Sequence, residues 1–133
     1  MISLILLAAM LLSTAAFAAT LQSDYIYYTS CSASRSGNTV TISFSISGKS
    51  KMTSIGAHYI EIYENAGSGF TKVATFSYTN ASYTYTLMGY NTAYKSGSVT
   101  YPGTSGCSYY AHITYYAGNS SGSDSTSANT NVV

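Results

Sequence analysis

Between residues 39 and 47 apolar and polar side chains alternate without a break. Val40, Ile42, Phe44 and Ile46 share one face, while Thr41, Ser43 and Ser45 share the other. A period of two predicts a half-buried β-strand. Residues 57–64 repeat the pattern, with Ile60 and Ile62 (and His58 in phase with them) opposite Tyr59, Glu61 and Tyr63. Residues 107–117 place Cys107, Tyr109, Ala111 and Ile113 opposite Tyr110, His112 and Tyr116. Further strands are expected over 24–33, 70–78, 96–101 and 124–133, with a weaker one over 82–87. Glycine, asparagine and serine clusters divide them. Arg35-Ser36-Gly37-Asn38 is a turn, and residues 65–69 form a hairpin loop whose glycines supply positive φ. Residues 48–54 and 88–95 are expected as loops. Beyond the first residues no stretch has helical periodicity, so the pattern predicts an all-β chain.

The start of the chain differs from the rest. Ile2 to Leu12 is almost wholly apolar, yet too short to span a bilayer comfortably. Small residues follow, and Ala16-Phe17-Ala18 fits an A-x-A cleavage site. Residues 1–18 therefore read as a signal peptide and 19–133 as a single mature β-sandwich domain. No Lys or Arg precedes the apolar run, the one departure from the usual pattern. Such a chain is secreted, with no stable membrane insertion after signal cleavage.

Charge is sparse. Five Lys and Arg against four Asp and Glu give a net charge of +1. Phosphate-backbone binding needs clustered cations, so nucleic acid is excluded as a partner. Fifteen tyrosines and many β-branched residues argue against disorder. The two cysteines, Cys31 and Cys107, predict one disulfide in an exported chain, with two free buried thiols as the alternative.

Catalytic constellations are absent from the sequence. Glu61 and Glu64 fall on opposite faces of one strand and form no acid/base pair. There is no GxSxG elbow, HExxH, P-loop or dinucleotide fingerprint. His58 and His112 differ in phase, which argues against a shared metal site. Asp124 and Asn119 are too few for an ordered calcium loop. No enzyme, metal or cofactor is expected.

Residues 96–133 resemble the end of a fibronectin type III or related immunoglobulin-like domain. A strand is followed by a Pro102-Gly103-Thr104 turn, a strand opening on an inward tyrosine (Tyr109), an Asn/Gly loop and a Ser/Thr strand. The mature chain also resembles an uncharacterised family of short exported proteins of Gram-positive bacteria. The shared stretches are SDYI at Ser23, IGA at Ile55, IYE at Ile62, MGYN at Met88, YYAG at Tyr115 and GSDS at Gly122. That family carries no known activity. The first resemblance implies an immunoglobulin-like (fibronectin type III-like) antiparallel β-sandwich of about seven to eight strands. Cys31 and Cys107 then lie at one end of it, where a bridge between sheets is plausible.

The same topology sets strands 57–64 and 107–117 side by side. Tyr59, Tyr63, Tyr110, His112 and Tyr116 are then a candidate binding face, opposed by the simpler reading of cross-strand pairs. Loops 48–54 and 118–124 come together, making Lys49, Lys51, Asn119 and Asp124 candidate binding loops. The expected function is a secreted, non-catalytic binding or adhesion module that recognises an extracellular glycan or protein. The alternative is a self-associating structural protein of the cell surface or extracellular matrix, paired through unguarded sheet edges.

Overall fold

The structure, a computed structural model, describes residues 23–133; the expected signal peptide over 1–18 lies outside them. Among the described residues six antiparallel strands form one curled sheet: β1 (Ile26–Ser36), β2 (Thr39–Asn65), β3 (Phe70–Ser77), β4 (Met88–Pro102), β5 (Ser108–Asn119) and β6 (Gly122–Asn129). The one helix among the described residues, the short α1 (Thr84–Leu87), precedes β4.

The organising element is β2, at 27 residues. Its first half pairs with β1 on one side and β4 on the other. Its second half pairs with β3 and β5, and β6 extends that half beyond β5. One strand therefore carries two sets of neighbours. The expected strands 39–47 and 57–64 are parts of it, and the weaker strand expected over 82–87 does not form, so eight expected strands become six among the described residues. The expected loop 48–54 is strand too, although the ladder to β4 breaks between Ser47 and Met52.

Alternation along β2 defines the core. Val40, Ile42, Phe44, Ile46, Ile60, Ile62, Ala111 and Ile113 are all buried, as their common phase predicts, and Thr41, Ser43 and Ser45 are not. Tyr109 and Tyr115 are fully buried among them, and Phe44 meets the Tyr115 ring edge-on with centroids 6.4 Å apart. Burying an aliphatic side chain of this size contributes about 1.5–3 kcal/mol.

Two elements differ from expectation. Residues 82–87 form a turn and α1 rather than a strand. The Asn80 carbonyl accepts from the Tyr83 and Thr84 amides, and Leu87 N–H donates to Tyr83 O. Asn80 also receives the Ser82 amide on its side chain, so local bonds outcompete a ladder here. Residues 88–95 belong to β4 rather than to a loop, because their backbone pairs with Met52–Gly56. Gly56 makes this junction possible. At φ +157, a side chain there would run into the Leu87 carbonyl and Met88.

The chain end closes the barrel-like curl. Val133 and Tyr109 exchange backbone bonds of 2.7 and 2.9 Å. The Asn131 amide binds both Ala33 N and Ala33 O, at 2.8 and 2.9 Å. Residues 130–133 thus tie β5 to β1.

Candidate functional site

Backbone register puts the predicted tyrosine face on adjacent strands. Tyr63 is directly opposite Tyr110, and Glu61 opposite His112. Tyr110, His112 and Tyr116 alternate with buried Ala111, Ile113, Tyr115 and Ala117, so they point away from the core. The five residues do not form one cluster. The four tyrosines sit in two aromatic groups, and His112 lies in the polar belt that separates them along β5.

The first group is Tyr63, Tyr110 and Phe70. The Tyr63 and Tyr110 rings stack at 5.0 Å and 5°, and Phe70 meets Tyr110 edge-on at 4.8 Å. The second is a three-ring stack. His58 lies between Tyr78 at 4.0 Å and Tyr116 at 4.4 Å, each within 13° of parallel. Tyr59 packs edge-on against His58 and Tyr78. Between the groups, Lys72 pairs with Glu61 at 2.8 Å and His112 Nδ1 donates to Asn129 Oδ1 at 2.6 Å.

His58 is on this outer face, and not in phase with Ile60. A β-bulge causes the change: Ala57 pairs with Tyr115 and Tyr59 with Thr114, leaving His58 as the extra residue. Ala57 and Ile60 are both buried at a spacing of three. Strict alternation cannot bury both, so that spacing was the signal of the bulge in the sequence. Burial in the stack lowers the His58 pKa below its ordinary value.

Ring orientation limits what this face can do. Tyr63 and Tyr110 are cross-strand partners stacked face to face, so their planes stand up from the sheet. Each covers the inner face of the other, so the rings present mainly their edges and hydroxyls outward from the sheet. The same holds for Tyr116 and Tyr78 around His58.

The candidate loops are close in space, but their charges do not meet. Ser54 pairs with Gly118, and the Asn119 amide lies 4.0 Å from Met52 Sδ. Lys49 and Lys51 are exposed, and Lys49 N–H donates to Tyr25 O. Asp124 instead receives Ser23 Oγ at 2.5 Å and the Asp24 amide at 3.1 Å. It anchors the segment that enters β1.

The expected disulfide is absent: Cys31 and Cys107 are free thiols. Cys31 contacts the Tyr115 hydroxyl, which itself donates to Ser30 O at 2.7 Å. Cys107 stands eight residues before Tyr115, about 26 Å of extended chain. A disulfide needs Cα atoms within about 7 Å. Arg35, four residues past Cys31, is the β1 residue that reaches Cys107, donating to its carbonyl at 2.5 Å. The two cysteines therefore sit at different levels of the sheet. Burial pushes the Cys31 thiol pKa up, against an opposing bond from Tyr115.

At that same end Tyr109 Oη donates to Glu64 Oε2 at 2.5 Å and accepts the Thr104 amide at 2.6 Å. Arg35 lies over its ring, 5.3 Å from the centroid, and donates to Thr104 O at 2.8 Å. All these groups are mutually satisfied, which makes the cluster a structural clasp. Among the described residues there is no group of three or more His, Cys, Asp or Glu able to hold a metal, and no helix long and apolar enough to cross a membrane. No protein-family profile, curated protein or solved structure matches the chain.

Proposed function

We propose that this chain is a secreted, non-catalytic binding module whose β3–β2–β5 face attaches to an extracellular protein. The carrying observation is the upright stacking of Tyr63 on Tyr110 and of His58 between Tyr78 and Tyr116. A sugar ring needs an aromatic platform lying flat along the surface, and these rings stand upright with their inner faces covered. Ring edges and phenolic hydroxyls, held rigid by stacking, suit a protein surface at low entropic cost. The polar belt of Glu61, Lys72 and His112 adds directional contacts between the two groups.

An immunoglobulin-like sandwich fits the same reading. It is supported by the division of partners along β2, with β1 and β4 on one half and β3, β5 and β6 on the other. It is also supported by Tyr109, whose hydroxyl bonds to the backbone five residues upstream, as the corner tyrosine of such domains does.

Parallel protein and glycan arrays, probed with the purified chain, test the proposal. Retention on protein spots, lost in a Tyr59→Ala/Tyr63→Ala/Tyr110→Ala/Tyr116→Ala variant that still melts cooperatively, supports it. Undiminished retention by that variant refutes it. Self-association is the second reading, favoured by the outer edge of β6, whose sequence GSDSTSAN has one charge and no proline to guard it. Sedimentation that rises with protein concentration would select it.

A further inference from the structure

The other half of the sheet has a different outer surface, formed by β1, the first half of β2, and β4. Register aligns its outward residues in rungs across three strands. The central rung is Ser32–Ser43–Ser98. The rungs on either side of it are also Ser or Thr at every position. Neighbouring hydroxyls are thus spaced about 4.8 Å across the strands and about 6.7 Å along them. The next rung is Tyr28–Ser47–Tyr94, so a tyrosine closes each side of one end of the array.

Three properties of this surface matter. It carries no charged side chain in any of these rungs. Among the described residues only one pair of the hydroxyls is internally satisfied, Ser30 with Ser45 at 2.6 Å. Tyr28 and Tyr94 are 49% and 54% exposed, and neither stacks on another ring among the described residues. No ring covers a face of either, whereas Tyr63 and Tyr110 each cover one face of the other.

We infer that this hydroxyl array, with Tyr28 and Tyr94 at its end, is a binding surface for a neutral polysaccharide. Each Ser or Thr hydroxyl both donates and accepts, and so matches a sugar hydroxyl in either sense. An open tyrosine face offers the apolar platform that the C–H face of a pyranose needs. The uncharged rungs offer nothing to a phosphate or sulfate backbone. A protein partner would need an apolar, desolvated centre, and the centre of this surface is entirely hydroxyl. Burying the array against protein would also require a new bond for nearly every hydroxyl. The site is separate from the protein-binding face proposed above, and either can fail without the other.

Co-sedimentation of the purified chain with microcrystalline cellulose, chitin and raw starch, at low and high salt, tests the inference. The chain should be retained on at least one of the three, and salt should not release it. A Tyr28→Ala/Tyr94→Ala variant should bind that glycan about tenfold more weakly or worse, as loss of a binding hot spot does. Ser98→Arg, which projects a long charged chain over the central rung, should do the same with the tyrosines intact. The quadruple tyrosine variant of the opposite half should bind as wild type. No retention on any of the three glycans overturns the inference. So does release by salt, or full retention by both the Tyr28→Ala/Tyr94→Ala and Ser98→Arg variants. A concentration-dependent sedimentation shift without glycan, abolished by Ser98→Arg, would assign the surface to a second copy of the chain and overturn it equally.

Discussion

Replacing Tyr109 with Phe removes one oxygen atom from a fully buried side chain and leaves the ring in place. Two bonds are lost. The Thr104 amide loses its acceptor, and the Glu64 carboxylate loses its donor. A neutral bond contributes about 1 kcal/mol and a bond to a charged group about 1.5–3. Thr104 is exposed and Glu64 half-buried, so water replaces part of both. The expected net loss is about 2 kcal/mol. For a domain near 100 residues this lowers Tm by roughly 8 °C. Urea unfolding should show a lower midpoint with an unchanged slope. Tyr115→Phe is the internal control. That ring is equally buried, but its hydroxyl bonds only neutral groups, Ser30 O and, weakly, the Cys31 thiol, and no carboxylate, so its loss should be about half as large. A Tyr109/Glu64 double-mutant cycle should return a coupling of about 1 kcal/mol. A Tyr109→Phe loss under about 0.5 kcal/mol, or smaller than that of Tyr115→Phe, would refute the clasp.

Other expectations follow from burial and geometry. Because burial lowers the His58 pKa in the fold, the neutral form is favoured there; stability should be full above the unfolded value of about 6.5 and fall as pH drops through the folded one. Chemical denaturation between pH 7.5 and 5 should show this fall, and His58→Gln should flatten it; a rise in stability on acidification would contradict it. Thiol titration of the denatured chain without reductant should count two groups, and in the native chain Cys31 should react more slowly than a free thiol because its pKa is raised. A count of zero would restore the disulfide. Gly56→Ala should destabilise the fold by at least 2 kcal/mol or prevent folding, since a Cβ there meets the Leu87 backbone rather than a movable side chain. A neutral outcome would mean that α1 does not pack on β2 as described.

Much of the fold was legible wherever alternation ran unbroken. Residues 39–47 and the stretch around Ala111 and Ile113 announced both their strands and their inward faces, because one buried face fixes register. Legibility failed where backbone pairing, rather than side-chain pattern, decides structure. Met88–Tyr94 has no apolar alternation, and it is strand only because β2 offers it a ladder. Residues 82–87 alternate, yet Asn80 turns the chain first. The five residues of the tyrosine face are on one side of adjacent strands, but the division of the four tyrosines into two groups depends on the bulge at His58 and on Tyr78 and Phe70. Those last two come from β3 and the turn after it, and no local pattern links them to β5. The cysteine pairing failed for a similar reason. Shared compartment and even count say nothing about level along a strand, and Tyr115 sets that level for Cys31. The hydroxyl array was visible only as three separate runs of alternating serine; the register that stacks Ser32, Ser43 and Ser98 is a property of the sheet.

Both functional proposals depend on which tyrosines are covered and which are open. Tetranitromethane nitration of the native chain, read residue by residue by mass spectrometry over time, measures this directly. Tyr27, Tyr28, Tyr85 and Tyr94, each about half exposed or more, should be modified first. Tyr63, Tyr110 and Tyr116 should follow slowly because a stacked neighbour covers one face of each. Tyr109 and Tyr115 should be modified only on unfolding. Early modification of Tyr63 and Tyr110 together with protection of Tyr28 and Tyr94 would contradict the account.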